Sequence, residues 1–260
     1  MSILKVSNLY KTYKGRNKLD KTEALNGINF EVNKGEFIGI MGPSGSGKTT
    51  LLNVLSGIAG YTSGSIEILG ENIQSMSRDE MARFRSRHLG FVFQDFNLLN
   101  SLTIKENIML PLSIESNDSE DDELDNHEEK TVRVMKMLKI DAIADKYPYI
   151  ISGGQQQRAA IARAIINNPD IIFADEPTGN LDWNSSTIVM DHFEKLNLQN
   201  NDTILVVTHD PFTASYCSRI IFIKKGEIYS EIKKNRKTKN EFFYEILDIL
   251  RNMGDEQYEL

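Results

Sequence analysis

Gly42-Pro-Ser-Gly-Ser-Gly-Lys48-Thr49 is the stretch that decides the fold of this chain, because it matches the phosphate-binding pattern G-x-x-x-x-G-K-[ST]. The apolar run Phe37–Met41 precedes it and a stretch with helical spacing follows it, so the motif joins a strand to a helix. Glycines let backbone N–H groups converge on phosphate oxygens, and the helix start adds partial positive charge. We expect Lys48 to reach the β- and γ-phosphates of a nucleotide and Thr49 to bind Mg²⁺.

A pair of carboxylates, Asp175 and Glu176, follows a second apolar run at 171–174. Adjacent side chains on a strand point in opposite directions, so the two acids can take different roles. We predict that Asp175 holds Mg²⁺ and that Glu176 orients and polarises the attacking water. An Asp-Glu pair at a strand end is common by chance, but the upstream phosphate-binding loop favours a shared nucleotide site.

Two single polar residues follow other apolar runs. Gln94 comes after Phe91-Val-Phe and can offer a carbonyl oxygen to Mg²⁺ or to the attacking water. His209 ends the run Val207-Thr-His and can donate a hydrogen bond to the γ-phosphate. Taken singly, a surface glutamine and a structural histidine are the better interpretations. Only the combination with the other motifs assigns both residues to the site.

Ser152-Gly-Gly-Gln155 is predicted to open a further helix. Ser152 and Gln155 fit a capping box, which an ordinary helix start would explain. Gly153 and Gly154 are not required for capping and lower helix stability, so they favour a backbone that closely approaches an anion. Because the chain already has one phosphate-binding loop, we predict that this helix start contacts a nucleotide held by another copy.

Apolar patterning predicts the remaining elements. Residues 1–35 alternate apolar and polar positions around a lysine-rich turn at 14–22, which indicates short antiparallel strands. Further strands are predicted at 171–175, 203–208 and near 219–224, and their alternation with helices predicts a parallel sheet. Ser77 and Glu80 form a second capping-box pattern, for a helix that runs to about residue 88, and another helix is predicted over 130–140.

Two segments depart from this alternation. The acidic tract at 115–129 is predicted to be a solvated loop or helix face. After about residue 231 a basic segment at 233–239 precedes an apolar stripe with helical spacing. The stripe predicts an amphipathic helix packed on its own domain, with a partner-binding or membrane-surface helix as the alternative.

Composition limits the class of protein. With 260 residues, the chain can bury a full core as one domain with a subdomain, and its single cysteine, Cys217, fits a reducing compartment. The net charge of −7 argues against a duplex-binding surface, so no nucleic-acid partner is expected. The sequence shows neither the pattern of a signal peptide nor an apolar stretch long enough to span a membrane. We therefore predict a cytoplasmic protein that reaches a membrane only through a partner.

Together these motifs resemble the ATP-binding subunit of ABC transporters over roughly residues 1–230. The resemblance implies an α/β P-loop NTPase (RecA-like) fold with a parallel-sheet core, an antiparallel β subdomain and an inserted α-helical subdomain at about 95–165. Residues 231–260 would form a C-terminal basic segment and amphipathic helix. Ile151 stands where the family usually has leucine, which conserves bulk.

The resemblance also implies ATP and Mg²⁺ as cofactors and assigns the site residues. Tyr13 would stack on adenine, with Tyr10 as the alternative, and Asn180-Leu-Asp182 would be the D-loop. The expected catalytic residues are Glu176, His209 and Gln94, and the expected metal-binding residues are Thr49, Gln94 and Asp175. The expected nucleotide-binding residues are Tyr13, Gly42, Ser44, Gly45, Ser46, Gly47, Lys48, Thr49, Thr50, Ser152, Gly153, Gly154, Gln155 and Asp182.

Longer stretches resemble the macrolide-export and lipoprotein-release branch, and Asp-Lys-Tyr-Pro and Thr-His-Asp-Pro-Phe lean towards the bacitracin-export type. This type implies a homodimer that sandwiches two Mg-ATP and powers a separate membrane permease in peptide-antibiotic resistance. The dimer would lie on the inner face of the cell membrane, with residues 94–112 as the permease contact. The alternatives are an ATPase that transmits a mechanical or sensory signal without moving substrate, and a soluble ATPase acting on DNA or ribosomes.

Overall fold

This computed structural model describes residues 2–14, 21–115 and 121–254, which contain ten strands and eight α-helices. They also contain three short 3₁₀ helices, at Ile73–Ser75, Asp141–Ile143 and Pro148–Ile150. The strands are β1 Ser2–Lys14, β2 Lys21–Asn33, β3 Phe37–Met41, β4 Ser63–Ile68, β5 Glu71–Asn72, β6 Leu89–Val92, β7 Ile171–Asp175, β8 Thr203–Thr208, β9 Arg219–Lys224 and β10 Glu227–Lys233. The helices are α1 Lys48–Leu55, α2 Arg78–His88, α3 Ile104–Glu115, α4 Asp121–Met137, α5 Gly153–Ile165, α6 Trp183–Asn200, α7 Pro211–Ala214 and α8 Lys239–Asn252.

The central sheet has six strands in the order β10-β9-β3-β8-β7-β6. The pairs from β9 to β6 are parallel, whereas β10 pairs antiparallel with β9 at one edge. The predicted parallel sheet is therefore confirmed, as are its strands at 171–175, 203–208 and 219–224. The phosphate-binding loop leaves β3 in the middle of the sheet, beside the ends of β8 and β9.

A second sheet, with the order β2-β1-β4-β5, is antiparallel throughout. Strands β1 and β2 are the antiparallel strands predicted from the alternation in residues 1–35, but each has 13 residues and is longer than expected. With β4 and β5 they form the antiparallel β subdomain that the family resemblance implies. Most of the predicted lysine-rich turn, residues 15–20, lies outside the described residues.

Two hydrophobic clusters cover the two faces of the central sheet. In β3, Phe37 and Met41 belong to one cluster, and Ile38 and Ile40 belong to the other, as expected when alternate strand residues point to opposite faces. The first cluster contains apolar residues of α3 to α6, and the second contains residues of the antiparallel sheet, α1 and α2. Strand β3, which leads into the phosphate-binding loop, is thus packed on both of its faces.

Helices α3, α4 and α5 lie within the range 95–165 that is predicted for the helical subdomain, and the bounds of that subdomain stay a prediction. Helix α4 already begins at Asp121, so part of the acidic tract is helical, whereas residues 116–120 lie outside the described residues. The capping box predicted at Ser77 and Glu80 is confirmed at the start of α2.

Helix α8 packs on the core, as the preferred interpretation of its apolar stripe predicts. Phe242, Ile246 and Leu250 are buried in the first cluster. Strand β10 runs across position 230, and the division of the chain at that position stays a prediction. No helix within the described ranges is both long and apolar enough to cross a membrane.

Candidate functional site

A cleft of about 730 Å³ lies between the phosphate-binding loop and the antiparallel sheet. It brings together residues that are far apart in the sequence, from β1 to the end of β8. Its lining residues are Tyr13, Thr22, Glu23, Ala24, Pro43, Ser44, Gly45, Gly47, Lys48, Thr49, Thr50, Gln94, Glu176 and His209. Gly42, Ser46, Asp175 and Asp182, which were also predicted to belong to the site, are not among these lining residues.

The phosphate-binding loop lines the cleft with Pro43, Ser44, Gly45 and Gly47. Gly47 has φ +106°, and a Cβ there would lie 2.4 Å from the carbonyl oxygen of Ala24, so a larger residue does not fit. Gly47 also caps α1 without a side-chain hydrogen bond, so no cap side chain competes with a ligand for the first N–H groups of the helix. Lys48 Nζ donates to the carbonyl oxygens of Gly42 at 2.7 Å and Pro43 at 3.0 Å. The loop is therefore suited to bind phosphate.

Asp175 is the last residue of β7, and its side chain is partly buried. Burial, and secondly the negative charge of Glu176, raise the pKa of Asp175 to about 6. Its hydrogen bond with the Thr49 side chain and the nearby Lys48 act in the opposite direction. Its Oδ1 atom is buried and has no hydrogen-bond partner among the described residues. A hard cation such as Mg²⁺ would satisfy this oxygen, so the pair of Asp175 and Thr49 fits the predicted metal.

Glu176 leaves the strand in a left-handed conformation, with φ +45°. Its carboxylate accepts hydrogen bonds from His209 Nδ1 at 2.8 Å, Thr208 Oγ1 at 3.1 Å and the His209 backbone N–H at 3.3 Å. The hydrogen bond with Glu176 raises the pKa of His209 above its usual range. The left-handed backbone at Glu176 therefore directs the two acid side chains apart. From the sequence, their separation was instead expected from the alternation of side chains along a strand.

Gln94 lies between the cleft and the loop that contains the predicted D-loop. Its Nε2 donates to Asn180 Oδ1 at 3.3 Å, and Asn180 Nδ2 donates to the Gln94 carbonyl oxygen at 3.2 Å and to Asp95 Oδ1 at 2.9 Å. These contacts use the side-chain amide nitrogen and the backbone carbonyl oxygen of Gln94. The side-chain oxygen Oε1 is the group that a metal or water would take. Asp182 caps α6 by accepting from the Ser185 N–H at 3.0 Å.

The two candidate adenine-binding tyrosines differ in position. Tyr13 lines the cleft, and Lys11 Nζ lies 4.7 Å from the centre of its ring. Tyr10 instead faces Gly27, where a Cβ would lie 3.1 Å from the tyrosine hydroxyl oxygen. This placement favours Tyr13 as the stacking residue.

The helix start at 152–155 has the predicted capping box, with Ser152 Oγ accepting from the Gln155 N–H and Gln155 accepting from the Ser152 N–H. Its glycines differ, however. A Cβ at Gly154 would lie 2.7 Å from Ser185 Oγ, so close packing within the chain explains this glycine. A Cβ at Gly153 would meet nothing closer than 3.4 Å, an ordinary contact. Packing within the chain therefore accounts for Gly154 but not for Gly153, and the nucleotide contact expected of both glycines stays a prediction.

The sequence interpretation missed several residues of the site. Thr208 holds the Glu176 carboxylate, and Thr22, Glu23 and Ala24 form the cleft wall opposite the phosphate-binding loop. The sequence signal that could have identified Thr208 was its position directly before His209, at the end of a predicted strand. No residue of 152–155 lines the cleft within the described part of the chain.

Comparison with known proteins identifies the family of the chain. The family model described as "ABC transporter" matches residues 25–179. The chain is 49% identical to a Halalkalibacterium halodurans protein named "Bacitracin export ATP-binding protein BceA", over 99% of both chains. It is 48% identical to the Bacillus subtilis protein "ABC transporter ATP-binding protein YxdL", over 97% of this chain and 95% of that one.

A solved structure resembles most of the chain. It is described as a "dimeric structure of a post-hydrolysis state of the ATP-binding cassette MJ0796 bound to ADP and Pi", and MJ0796 is a Methanocaldococcus jannaschii protein. Its TM-score is 0.81 at 39% identity, and the match covers 88% of this chain and 98% of the other. With the phosphate-binding loop, the acid pair and the cleft of the present structure, these matches show that the chain belongs to the ABC transporter family, as an ATP-binding subunit that hydrolyses ATP.

Proposed function

We propose that the chain, as a homodimer joined to a separate membrane permease, powers the removal of peptide antibiotics or resistance to them. The observation that carries this proposal is the 49% identity to a bacitracin-export ATP-binding protein over 99% of both chains. The protein would lie on the cytoplasmic face of the membrane and contact the bilayer only through the permease. No nucleic-acid partner is proposed.

The position of the second helix start supports a composite ATP site. Ser152 is exposed at the start of α5, and the region 152–155 does not line the cleft of its own chain. A Cβ would fit at Gly153 within the chain, so packing does not require a glycine at this position. A close approach to phosphate from another copy would require one. The solved relative MJ0796 is described as dimeric with ADP and Pi. Two copies would therefore enclose two nucleotides.

Within each site the chain's own residues would prepare hydrolysis. Thr49, Asp175 and Gln94 would hold Mg²⁺, which neutralises phosphate charge when it is bound. Lys48 would hold the β- and γ-phosphates, and Glu176 would orient and polarise the attacking water. His209 lies 2.8 Å from Glu176, so it can contact the γ-phosphate while it positions the carboxylate. Positioning and electrostatics supply most of the catalysis in such reactions.

Asp175→Asn is expected to raise the thermal stability of the nucleotide-free protein and to remove its stabilisation by Mg²⁺-ATP. The folded pKa of Asp175, about 6, is above its ordinary 3.8, so the ionised carboxylate disfavours the fold at pH 7. This penalty declines as pH falls from about 6 to 3.8, and with solvent screening it is about 1 kcal/mol. Thermal unfolding at pH 7, with and without Mg²⁺ and ATP, measures both effects. A variant still stabilised by Mg²⁺-ATP as much as the wild type would exclude Asp175 as the metal ligand.

The permease contact is proposed for an apolar groove of about 420 Å³ between the core and the helical region. Phe91 and Phe93 of the segment around β6 line one side, and Leu110 and Pro111 of α3 line the other. The groove overlaps the segment 94–112 that the sequence assigns to the permease, and Gln94 begins that segment beside the nucleotide. A helix of the permease in this groove would thus lie close to the ATP site.

Transport in reconstituted vesicles tests the proposed function. The chain would be reconstituted with the permease from the neighbouring reading frame, and ATP-driven movement of fluorescently labelled bacitracin would be measured. We expect movement with the wild-type chain and none with Glu176→Gln. Peptide-stimulated hydrolysis without movement of label would contradict transport and support the signalling alternative.

A further inference from the structure

The first residue of α8, Lys239, contacts both α6 and Tyr216, which lies two residues after the end of α7. Lys239 Nζ lies 2.8 Å from Glu194 Oε2 of α6, and 3.7 Å from the centre of the Tyr216 ring, which follows α7. One ammonium group therefore makes an ion pair and a cation–π contact at the same time. Its side chain is partly buried, with 38% exposed, which strengthens both contacts relative to a fully hydrated pair.

Tyr216 belongs to an aromatic array that extends to the start of α6. Its ring meets Phe212 edge-on, with centroids 5.4 Å apart, and Phe212 meets Trp183 at 4.2 Å. Trp183 directly follows Asp182, the cap of α6 in the D-loop. The array of Trp183, Phe212 and Tyr216 thus spans from the D-loop to the contact with Lys239.

The helix that carries Phe212 also sets the position of the catalytic region. Helix α7 begins two residues after His209 and is capped by Asp210. Thr213 Oγ1 lies 2.7 Å from Thr178 Oγ1, two residues beyond Glu176, and both threonines are buried. A shift of α7 would therefore move His209 relative to the Glu176 carboxylate.

We propose that Lys239 is a positioning residue for ATP hydrolysis. By joining α6 to Tyr216, it keeps the aromatic array closed and α7 in place, so that His209 stays paired with Glu176. This proposal rests on the catalytic roles proposed for those two residues. It adds a residue of α8 to those that support ATP hydrolysis. Helix α8 stands at the C-terminal end of the described chain and lies beyond the residues matched by the family model.

Steady-state ATP hydrolysis by the full chain tests the proposal. Lys239→Ala should lower kcat roughly tenfold and leave KM for ATP within about twofold, because the Lys48 loop is untouched while the catalytic pair is displaced. Lys239→Arg should keep most of the activity, since a guanidinium can make both contacts. Lys237→Ala is the matched control, because Lys237 pairs with Glu245 at 2.6 Å and is not part of the aromatic contact.

The only tryptophan of the chain, Trp183, supplies a second readout. Its emission should shift in Lys239→Ala and stay unchanged in Lys237→Ala. Tyr216→Leu should reproduce the loss of kcat, and adding Lys239→Ala to it should cause little further loss. Melting temperatures measured in parallel would identify a variant that is simply unfolded at the assay temperature.

Equal kcat values for Lys239→Ala and Lys237→Ala would overturn the proposal. So would losses that add fully in the double variant, or no rescue by arginine. These outcomes are distinct from failure of the proposed function, because hydrolysis by the isolated chain does not require a permease. If Glu176→Gln still hydrolyses ATP normally, the assigned catalytic roles fail instead.

Discussion

Glu176→Gln is expected to bind Mg²⁺-ATP, hydrolyse it at least about 100-fold more slowly, and accumulate as a dimer. The amide is nearly isosteric and can still accept the hydrogen bonds from Thr208 and the His209 N–H. It loses the negative charge that polarises the water, and it also loses the carboxylate whose hydrogen bond raises the pKa of His209. Binding should therefore survive while the chemical step fails. Phosphate release in a single turnover measures the rate, and gel filtration with ATP measures the dimer.

Two comparisons make this result specific. Glu67→Gln changes an exposed carboxylate on β4, remote from the cleft, and should behave like the wild type in both assays. Glu176→Gln without ATP should elute as a monomer, because the proposed dimer is held together through the nucleotide. A variant that stays monomeric with saturating ATP would contradict the composite site, even if its hydrolysis is lost.

The features predicted correctly from the sequence depend on residues that are close together in the chain. The capping boxes at 77–80 and 152–155 connect residues three apart, so the pattern alone identifies them. The buried strands at 171–175 and 203–208 are continuous apolar runs, which parallel strands covered on both faces require. The phosphate-binding loop has the same local character, because glycines and lysine within eight residues determine it.

The features that were missed depend on residues distant in the chain. The strained backbone of Glu176 and its hydrogen bonds to Thr208 and His209 arise only when β7 and β8 pair side by side. The packing of Gly154 on Ser185 requires α5 to cross α6. In the sequence, both glycines of the motif look alike, and only the neighbouring helix distinguishes them.

Gly153→Asp should separate the phosphate-binding role of the second helix start from its structural role. A Cβ at Gly153 meets Leu181 at 3.4 Å and nothing closer, so an aspartate fits within the chain. An acid in the first turn of α5 also interacts favourably with the helix dipole, so the melting temperature should be unchanged or higher. Its carboxylate would repel the phosphates held by the second copy. We expect hydrolysis to fall roughly 100-fold, with ATP binding to the monomer unchanged.

Gly154→Ala is the matched variant with the opposite expectation for stability. Its Cβ would lie 2.7 Å from Ser185 Oγ and 2.9 Å from Ser185 Cβ, and such overpacking typically costs about 1–3 kcal/mol of folding free energy. Adding Ser185→Gly removes both contacting atoms and should recover much of that loss. Equal melting temperatures for Gly153→Asp and Gly154→Ala would contradict the different roles of the two glycines. Loss of ATP binding by monomeric Gly153→Asp would show that the helix start supports its own cleft. If Gly153→Asp loses only hydrolysis and dimer formation, the anion that this glycine approaches must come from the second copy.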